Sequence, residues 1–207
     1  MKNILLVLLA LPILISCSSK QEKAIALQPY NGFNLSLTDT IQVAIQNFYG
    51  LKAHILAPIE IPKATFVNVK SPRYRADKLI KLLKKNKPDS IDHILGLIAK
   101  DISTTKRDHL RKVKKPESKY KDWGIFGLGY RPGASCIVSS YRLKKKVSQG
   151  VYKDRLKKVC LHELGHNFGL KHCKSGAPCL MQDAVESIKT IDKEPLALCP
   201  SCLNKIW

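Results

Sequence analysis

Histidine is scarce in this 207-residue chain, with 6 in all, and three of them crowd into one short run. The run is His162-Glu163-Leu164-Gly165-His166-Asn167-Phe168-Gly169-Leu170-Lys171-His172. On a helix, residues four apart project from one face, so the imidazoles of His162 and His166 can reach a single ion. Glu163 sits beside the first of them and can turn its carboxylate toward the open side of that ion. Gly169 allows a sharp turn without a Cβ penalty, and the turn can bring back His172 as a third ligand. Three histidines leave a fourth position for water, the arrangement of a catalytic rather than a structural zinc. Zinc acidifies that water, Glu163 takes its proton, and the hydroxide attacks a polarised carbonyl. The competing readings are a metal-free buried histidine cluster and a zinc carrier without turnover. Glu163 argues against the carrier, because holding a metal requires no general base.

Seven cysteines are present. Apart from Cys17 they are Cys136, Cys160, Cys173, Cys179, Cys199 and Cys202. Two ligands on a loop followed by a Cys-x-x-Cys turn can form a tetrahedral thiolate site for structural zinc. The same four cysteines, 173, 179, 199 and 202, can also form two disulfides. Cys136 and Cys160 read as buried thiols, with a Cys136–Cys160 disulfide as the alternative. Once residues 1–16 are set aside, Met181 is the only methionine left. It stands where a turn beneath the histidines would place it, or it fills a gap in the core.

The histidine string resembles the metzincin signature. The cysteines sharpen the resemblance to the archaemetzincin family of zinc metallopeptidases. Its pattern has a Cys directly after the third His, a second Cys, a Met two residues beyond it, and Cys-x-x-Cys seventeen residues later. Here these are Cys173, Cys179, Met181 and the pair Cys199 and Cys202. The segment from Lys174 to Pro178 is one residue longer than the family spacing. Gly127 and Ser139 to Leu143 resemble, more loosely, the stretch that precedes the active-site helix in that family. The resemblance implies a metallopeptidase, either aminopeptidase or endopeptidase, with two Zn²⁺: one catalytic at His162, His166 and His172, and one structural at Cys173, Cys179, Cys199 and Cys202. It implies Glu163 as the catalytic base and Met181 in the turn beneath the metal. It also implies an α/β fold, a compact metzincin-like domain. Its parts would be a mixed, mostly parallel sheet, an active-site helix and a zinc-stapled irregular C-terminal tail. An antiparallel edge strand, expected near Ala134 to Ser140, could hold an extended peptide by β-augmentation.

The elements that must position these residues can be read from periodicity. Ala24 to Gln28 reads as a strand. Leu37, Ile41, Ala44, Ile45 and Phe48 share one face of a helix over 37–49, ended by Gly50. Leu51 to Ile61 is β-rich and limited by prolines. Arg75 to Lys85 reads as a basic amphipathic helix, and Ser90 to Ile102 as a central strand. Lys100 to Lys121 is crowded with cations and reads as a long surface loop with at most a turn of helix. Trp123 to Tyr130 is punctuated by glycine. Tyr152 to Leu170 reads as the helix that carries the histidines.

The start of the chain calls for separate treatment. A short positive segment precedes an apolar run, Ile4 to Ile15, too short to span a bilayer comfortably. Leu14-Ile15-Ser16-Cys17 resembles the lipobox of bacterial lipoproteins. The expectation is a signal peptide over 1–16, lipidation at Cys17 with a tether to residue 23, and a catalytic domain over 24–207. Such a protein would sit in the bacterial cell envelope, lipid-anchored, at the outer membrane rather than the inner.

The formal charge of +20 attracts anionic partners and repels cations. The simplest reading is a solvated basic surface suited to anionic lipid headgroups, and the sharper one is a preference for acidic peptides. No stacking motif accompanies the charge, so no specific nucleic acid is expected. The expected partners are a peptide or protein substrate and, through the anchor, a membrane, with the chain acting as a monomer. The alternative function is a non-catalytic zinc-binding or polyanion-binding envelope lipoprotein.

Overall fold

Alternation along the strands sorts the apolar side chains into two cores on opposite faces of one sheet. The structure, a computed structural model, describes residues 23–206. The expected signal segment and Cys17 lie outside the described residues. Strands β1 (Ile25–Pro29), β2 (Ala53–Ile55), β5 (His93–Ile98), β8 (Gly127–Gly129) and β9 (Ser135–Ser139) form a sheet in the order β2-β1-β5-β9-β8. The first four in this order are mutually parallel, and β8 runs antiparallel to β9. Successive side chains of a strand point to opposite faces. Ile25, Leu27, Leu95, Leu97, Cys136 and Val138 accordingly enter one buried cluster, and Ala26, Ile94, Ile98 and Ile137 the other. Burial on both faces is what a mostly parallel sheet demands. The mixed, mostly parallel α/β fold is therefore as expected.

Helices α1 (Leu35–Tyr49) and α4 (Gln149–Asn167) share the first cluster, and α2 (Ala76–Lys85) packs into the second. Helix α1 starts at Asn34, whose side chain accepts the Ser36 N–H at 2.9 Å, and stops at Gly50 with φ +64°. This is the stop that the sequence pattern requires. Helix α4 begins three residues before the expected Tyr152, because Ser148 caps it.

Two expectations need correction. The antiparallel edge strand is β8, and the segment near Ala134 to Ser140 is the inner strand β9. All five β9 residues are buried, which an edge strand seldom allows, whereas Gly-Leu-Gly shows no apolar alternation that would betray a strand. The basic segment 100–121 is also more than a loop with a helical turn (α3, Glu117–Tyr120). It contributes β6 (Ile102–Thr104) to a second sheet with β3 (Phe66–Asn68), β4 (Pro72–Arg75) and β7 (Trp123–Ile125), in the order β3-β4-β6-β7. These strands have 3 or 4 residues each, too few for a two-residue period to show. In the same way the β-rich stretch 51–61 keeps only β2 and a bridge from Tyr30 to Ile59.

Buried charge ties the two sheets together. Asp101 accepts hydrogen bonds from Arg142 at 2.6 and 2.8 Å and from Arg73 at 2.8 Å, and Arg73 also donates to Asp122 at 2.9 Å. Beyond α4 the chain is irregular except for two short helices, α5 (Ile188–Lys193) and α6 (Pro200–Leu203). Arg155 of α4 holds α5 through two 2.7 Å bonds to Asp192. Among the described residues no helix is long and apolar enough to cross a membrane.

Candidate metal centre and cleft

The second half of α4 runs through the interior: every residue from Leu161 to Gly165 is buried. The helix therefore carries polar groups into a dry place. His162 and His166 project from it together, their ring centroids 4.7 Å apart. The chain then reverses at Gly169, φ +97°, and His172 returns to lie 5.5 and 5.0 Å from the two rings. One ligand atom from each of the three lies within 4.8 Å of the others. His162 is buried, His166 half-buried and His172 exposed, so the set opens outward through His172.

Backbone carbonyls fix the tautomers. His162 Nδ1 lies 3.0 Å from the Leu180 carbonyl, and His166 Nδ1 lies 2.8 Å from that of Leu170. A carbonyl oxygen only accepts, so each Nδ1 carries the proton and each Nε2 keeps a lone pair. Burial, then the neighbouring His166, lowers His162 to about 3, and burial also lowers His166 and His172. The three rings are thus neutral around pH 7 and suited to a cation as metal ligands.

Glu163 is 4% exposed. Burial pushes its carboxyl up to about 8, although a hydrogen bond from the Gly129 backbone pulls the other way. Strand β8 presses directly on it. A Cβ placed on Gly127 would lie 2.7 Å from Glu163 Cγ, and one on Gly129 would lie 2.8 Å from the Glu163 carbonyl oxygen. Two glycines separated by one residue share a face of a strand, and this face has to be bare for Glu163 to fit. The pattern Gly127-x-Gly129 was the available sequence signal for this approach. Asn167 completes the local support, donating to the carbonyls of Tyr130 at 2.9 Å and Ser135 at 3.0 Å. The roles of Gly129, Asn167, Leu170 and Leu180 were not legible beforehand.

Met181 is fully buried. A Cβ on Gly165 would come within 2.7 Å of its sulfur, so the glycine between Glu163 and His166 makes room for it. A cleft of about 230 Å³ opens over the set, lined by Trp123 to Gly129 on one side, by the three histidines and Glu163, and by Ala184 to Glu186 on the other. Lys106 joins the two sides: its Nζ bonds Glu186 at 2.7 Å and lies 4.7 Å from the centre of the Trp123 ring.

The four C-terminal cysteines form a second set. Their sulfurs also lie within 4.8 Å of one another, and all six described cysteines are free thiols, including Cys136 and Cys160. The Cys173 and Cys199 sulfurs are 3.5 Å apart. That is far beyond a disulfide bond of about 2.05 Å and near the edge of about 3.8 Å of a tetrahedron with metal–sulfur bonds of about 2.3 Å. Cys179, Cys199 and Cys202 are buried and Cys173 is half-buried. A hydrogen bond from Ser175 pulls the Cys199 thiol down to about 6, whereas burial pushes Cys179 and Cys202 up. The donor chemistry of both sets fits zinc. Cys136 and Cys160 lie apart from this set, buried close to Glu163, and burial raises both thiols.

Comparison with known proteins adds an independent line. The profile of peptidase family M54 matches residues 34–207. The archaemetzincin of Haloquadratum walsbyi is 28% identical over 172 residues, covering 79% of this chain and 88% of that protein. Human archaemetzincin-2 is 31% identical over 183 residues, covering 77% of this chain and 49% of that protein. Among solved structures, the archaemetzincin of Archaeoglobus fulgidus superposes with a TM-score of 0.69 at 23% identity, over 88% of this chain and 99% of that one. The archaemetzincin of Methanopyrus kandleri does so with a TM-score of 0.70 at 22% identity, over 92% and 96%. At such identities these structures establish the fold.

Proposed function

This chain belongs to peptidase family M54, and on that premise we propose that it cleaves peptide bonds with zinc held by His162, His166 and His172 and with Glu163 as general base. Membership makes it a zinc metallopeptidase acting on peptides or proteins. The residue roles are the proposal. The single observation that carries it is the buried Glu163 beside three neutral imidazoles, two of which, His162 and His166, are held in the tautomer that leaves Nε2 free.

Zinc, when bound, supplies Lewis acidity, which acidifies water and polarises a scissile carbonyl. His162 and His166 are oriented for it by the Leu180 and Leu170 carbonyls. Glu163 performs the proton work. Its dry setting raises its affinity for a proton, and a dication in front of it would lower that affinity again. Those opposed pulls suit a group that takes a proton from water and returns it to a leaving amine near neutral pH. The Gly129 backbone hydrogen bond keeps the carboxylate in place. The outer edge of β8 borders the cleft, so an extended peptide can add to the sheet there. The cysteine set, on this reading, holds a second, structural zinc that ties the tail to the end of α4.

The decisive experiment measures bound zinc and the cleavage rate on the same preparations of wild type and Glu163→Gln. Zinc stays, and cleavage falls by about 10²–10⁴-fold. Equal cleavage by both proteins would remove Glu163 from the mechanism. From the sequence of residues 1–17 alone we also propose a lipid-anchored envelope location. Labelled palmitate should enter the wild type and not Cys17→Ser, and unlabelled wild type would end that proposal.

A further inference from the structure

The extreme positive charge of this chain is not spread evenly around the cleft. Behind His172 lies a second cavity of about 830 Å³. Its wall carries Arg131, Lys171, Lys174 and Lys205 and, among the described residues, no carboxylate. All four cations are exposed. Like charges held in one concavity repel each other and focus a positive potential into it. A site that keeps such a grouping without internal compensation is built to receive an anion.

Position decides what kind of anion. His172 lines both this cavity and the cleft, so the two spaces meet at the outermost histidine. A peptide held at the histidines advances about 3.3 Å per residue, and its next one or two residues reach the cavity. A polyanion bound elsewhere would have no reason to share a wall with the histidines. The cysteine set supplies the rigidity. Cys173 and Cys202 form part of the wall, so the segments that bear Lys174 and Lys205 are pinned from beneath. Arg131 offers a planar fork suited to a carboxylate, and lysines add point charges.

We propose that this basic cavity is a carboxylate-recognition subsite, taking an acidic side chain or the free C-terminal carboxylate of a peptide one or two residues from the scissile bond. The inference rests on the peptidase reading above. It extends that reading from reaction to substrate class, and it gives the cysteine set a second task, since the same loop that holds the sulfurs shapes the subsite.

The test uses the full zinc-loaded chain and three peptides of equal length: one with a glutamate and an amidated C-terminus, one neutral with a free C-terminal carboxylate, and one neutral and amidated. Calorimetry on Glu163→Gln gives binding without turnover, and wild-type kinetics give kcat/KM. The variant Arg131→Glu/Lys205→Glu is compared with Lys144→Glu/Lys145→Glu, which makes the same charge change beyond the opposite end of β9. Thermal melts and zinc content confirm that both are folded and loaded. We expect the first variant to lose at least about 10-fold in affinity and in kcat/KM for a carboxylate-bearing peptide, with the neutral amidated peptide unaffected. The second variant should stay within about 2-fold for all three, as expected of a remote, screened charge. Whether the glutamate peptide or the free-carboxylate peptide responds identifies the source of the anion. Equal treatment of all peptides by the wild type, or equal losses in both variants, would overturn the subsite. Selective binding with no cleavage of any peptide would leave the subsite standing and overturn the peptidase roles, so the two failures are distinguishable.

Discussion

The two candidate metal centres adjoin in sequence, Cys173 following His172 directly, yet they use burial in opposite ways. The histidine set is graded, from buried His162 to exposed His172, and opens on a cleft. Three of the four cysteines are buried, and their sulfurs close on one another. A catalytic site needs a vacant side for substrate, whereas a structural site gains by using all four ligands on the protein. The difference extends to the surrounding fold. Two of the three histidines, His162 and His166, stand on a 19-residue helix with a hydrophobic core around it. The cysteines lie along a tail whose only regular pieces, among the described residues, are a 6-residue and a 4-residue helix. On the proposed roles, the first site is supported by the fold, and the second supports it.

If that contrast is right, its largest consequence is for stability. Cys179→Ser should cost on the order of 5 kcal/mol, because zinc binding at a structural site is folding free energy. His166→Ala should abolish cleavage while lowering the melting temperature only slightly. Thermal melts of the two variants, with zinc content measured on each, check this. A His166→Ala protein that melts far below Cys179→Ser would invert the assignment. Metal removal makes the same point without mutation. A chelator should strip one zinc quickly through exposed His172 and leave the second bound, with the fold intact after the first loss. Simultaneous loss of both ions would mean that the sites are one cooperative unit.

A smaller effect tests how the cleft wall serves the first site alone. Gly127→Ala places a methyl 2.7 Å from Glu163 Cγ, so the side chain must shift. Misplacing a reacting group by about 1 Å can cost about 10²-fold in rate. Cleavage should therefore fall by about that factor, with both zinc ions bound and a melt near that of the wild type. A fully active Gly127→Ala protein would mean that the position of Glu163 is not critical.

The same contrast explains what could be read from the sequence. The histidine string and the cysteine spacing were legible because metal ligation fixes residue types at fixed intervals. Helices α1 and α2 were legible because their apolar faces repeat over ten or more residues, whereas α4, buried on every side in its second half, has no such face and was legible through the spacing of His162 and His166 and the glycine stop at Gly169. The second sheet was not. Its strands are too short to show a period, and Arg73, Asp101 and Arg142 look like solvated charges until the fold pairs them. The edge strand was misplaced for a related reason: Gly127 and Gly129 are selected by what presses against them, a contact made 34 or more residues later in the chain by Glu163. The basic residues of the subsite come from 131, 171, 174 and 205, and no local pattern announces that they share a wall.

The smallest expected effect concerns the scaffold that both centres share, and it can be separated from zinc loss by its pH dependence. Burial alone would raise the Asp101 carboxyl, but hydrogen bonds from Arg142 and Arg73 outweigh it and hold the group below its ordinary value. In the unfolded chain the same carboxyl titrates near about 3.9. A depressed folded pKa means that the charge stabilises the fold fully above the unfolded value, and that this contribution fades as pH falls toward the folded one. Asp101→Asn keeps the shape and removes the charge. With side-chain exposure of 8% for Asp101 and 13% for Arg73, the wild type should be more stable than the variant by about 2 kcal/mol at neutral pH. Acid also expels zinc from histidine and thiolate ligands, but it does so in both proteins, so the difference between them isolates Asp101. Paired melts from about pH 7 down to about pH 3 should show a constant gap that begins to close below about pH 4. A gap that is flat across this range would show that the pairing of Arg73 and Arg142 with an ionised Asp101 does not set the stability of the junction between the two sheets.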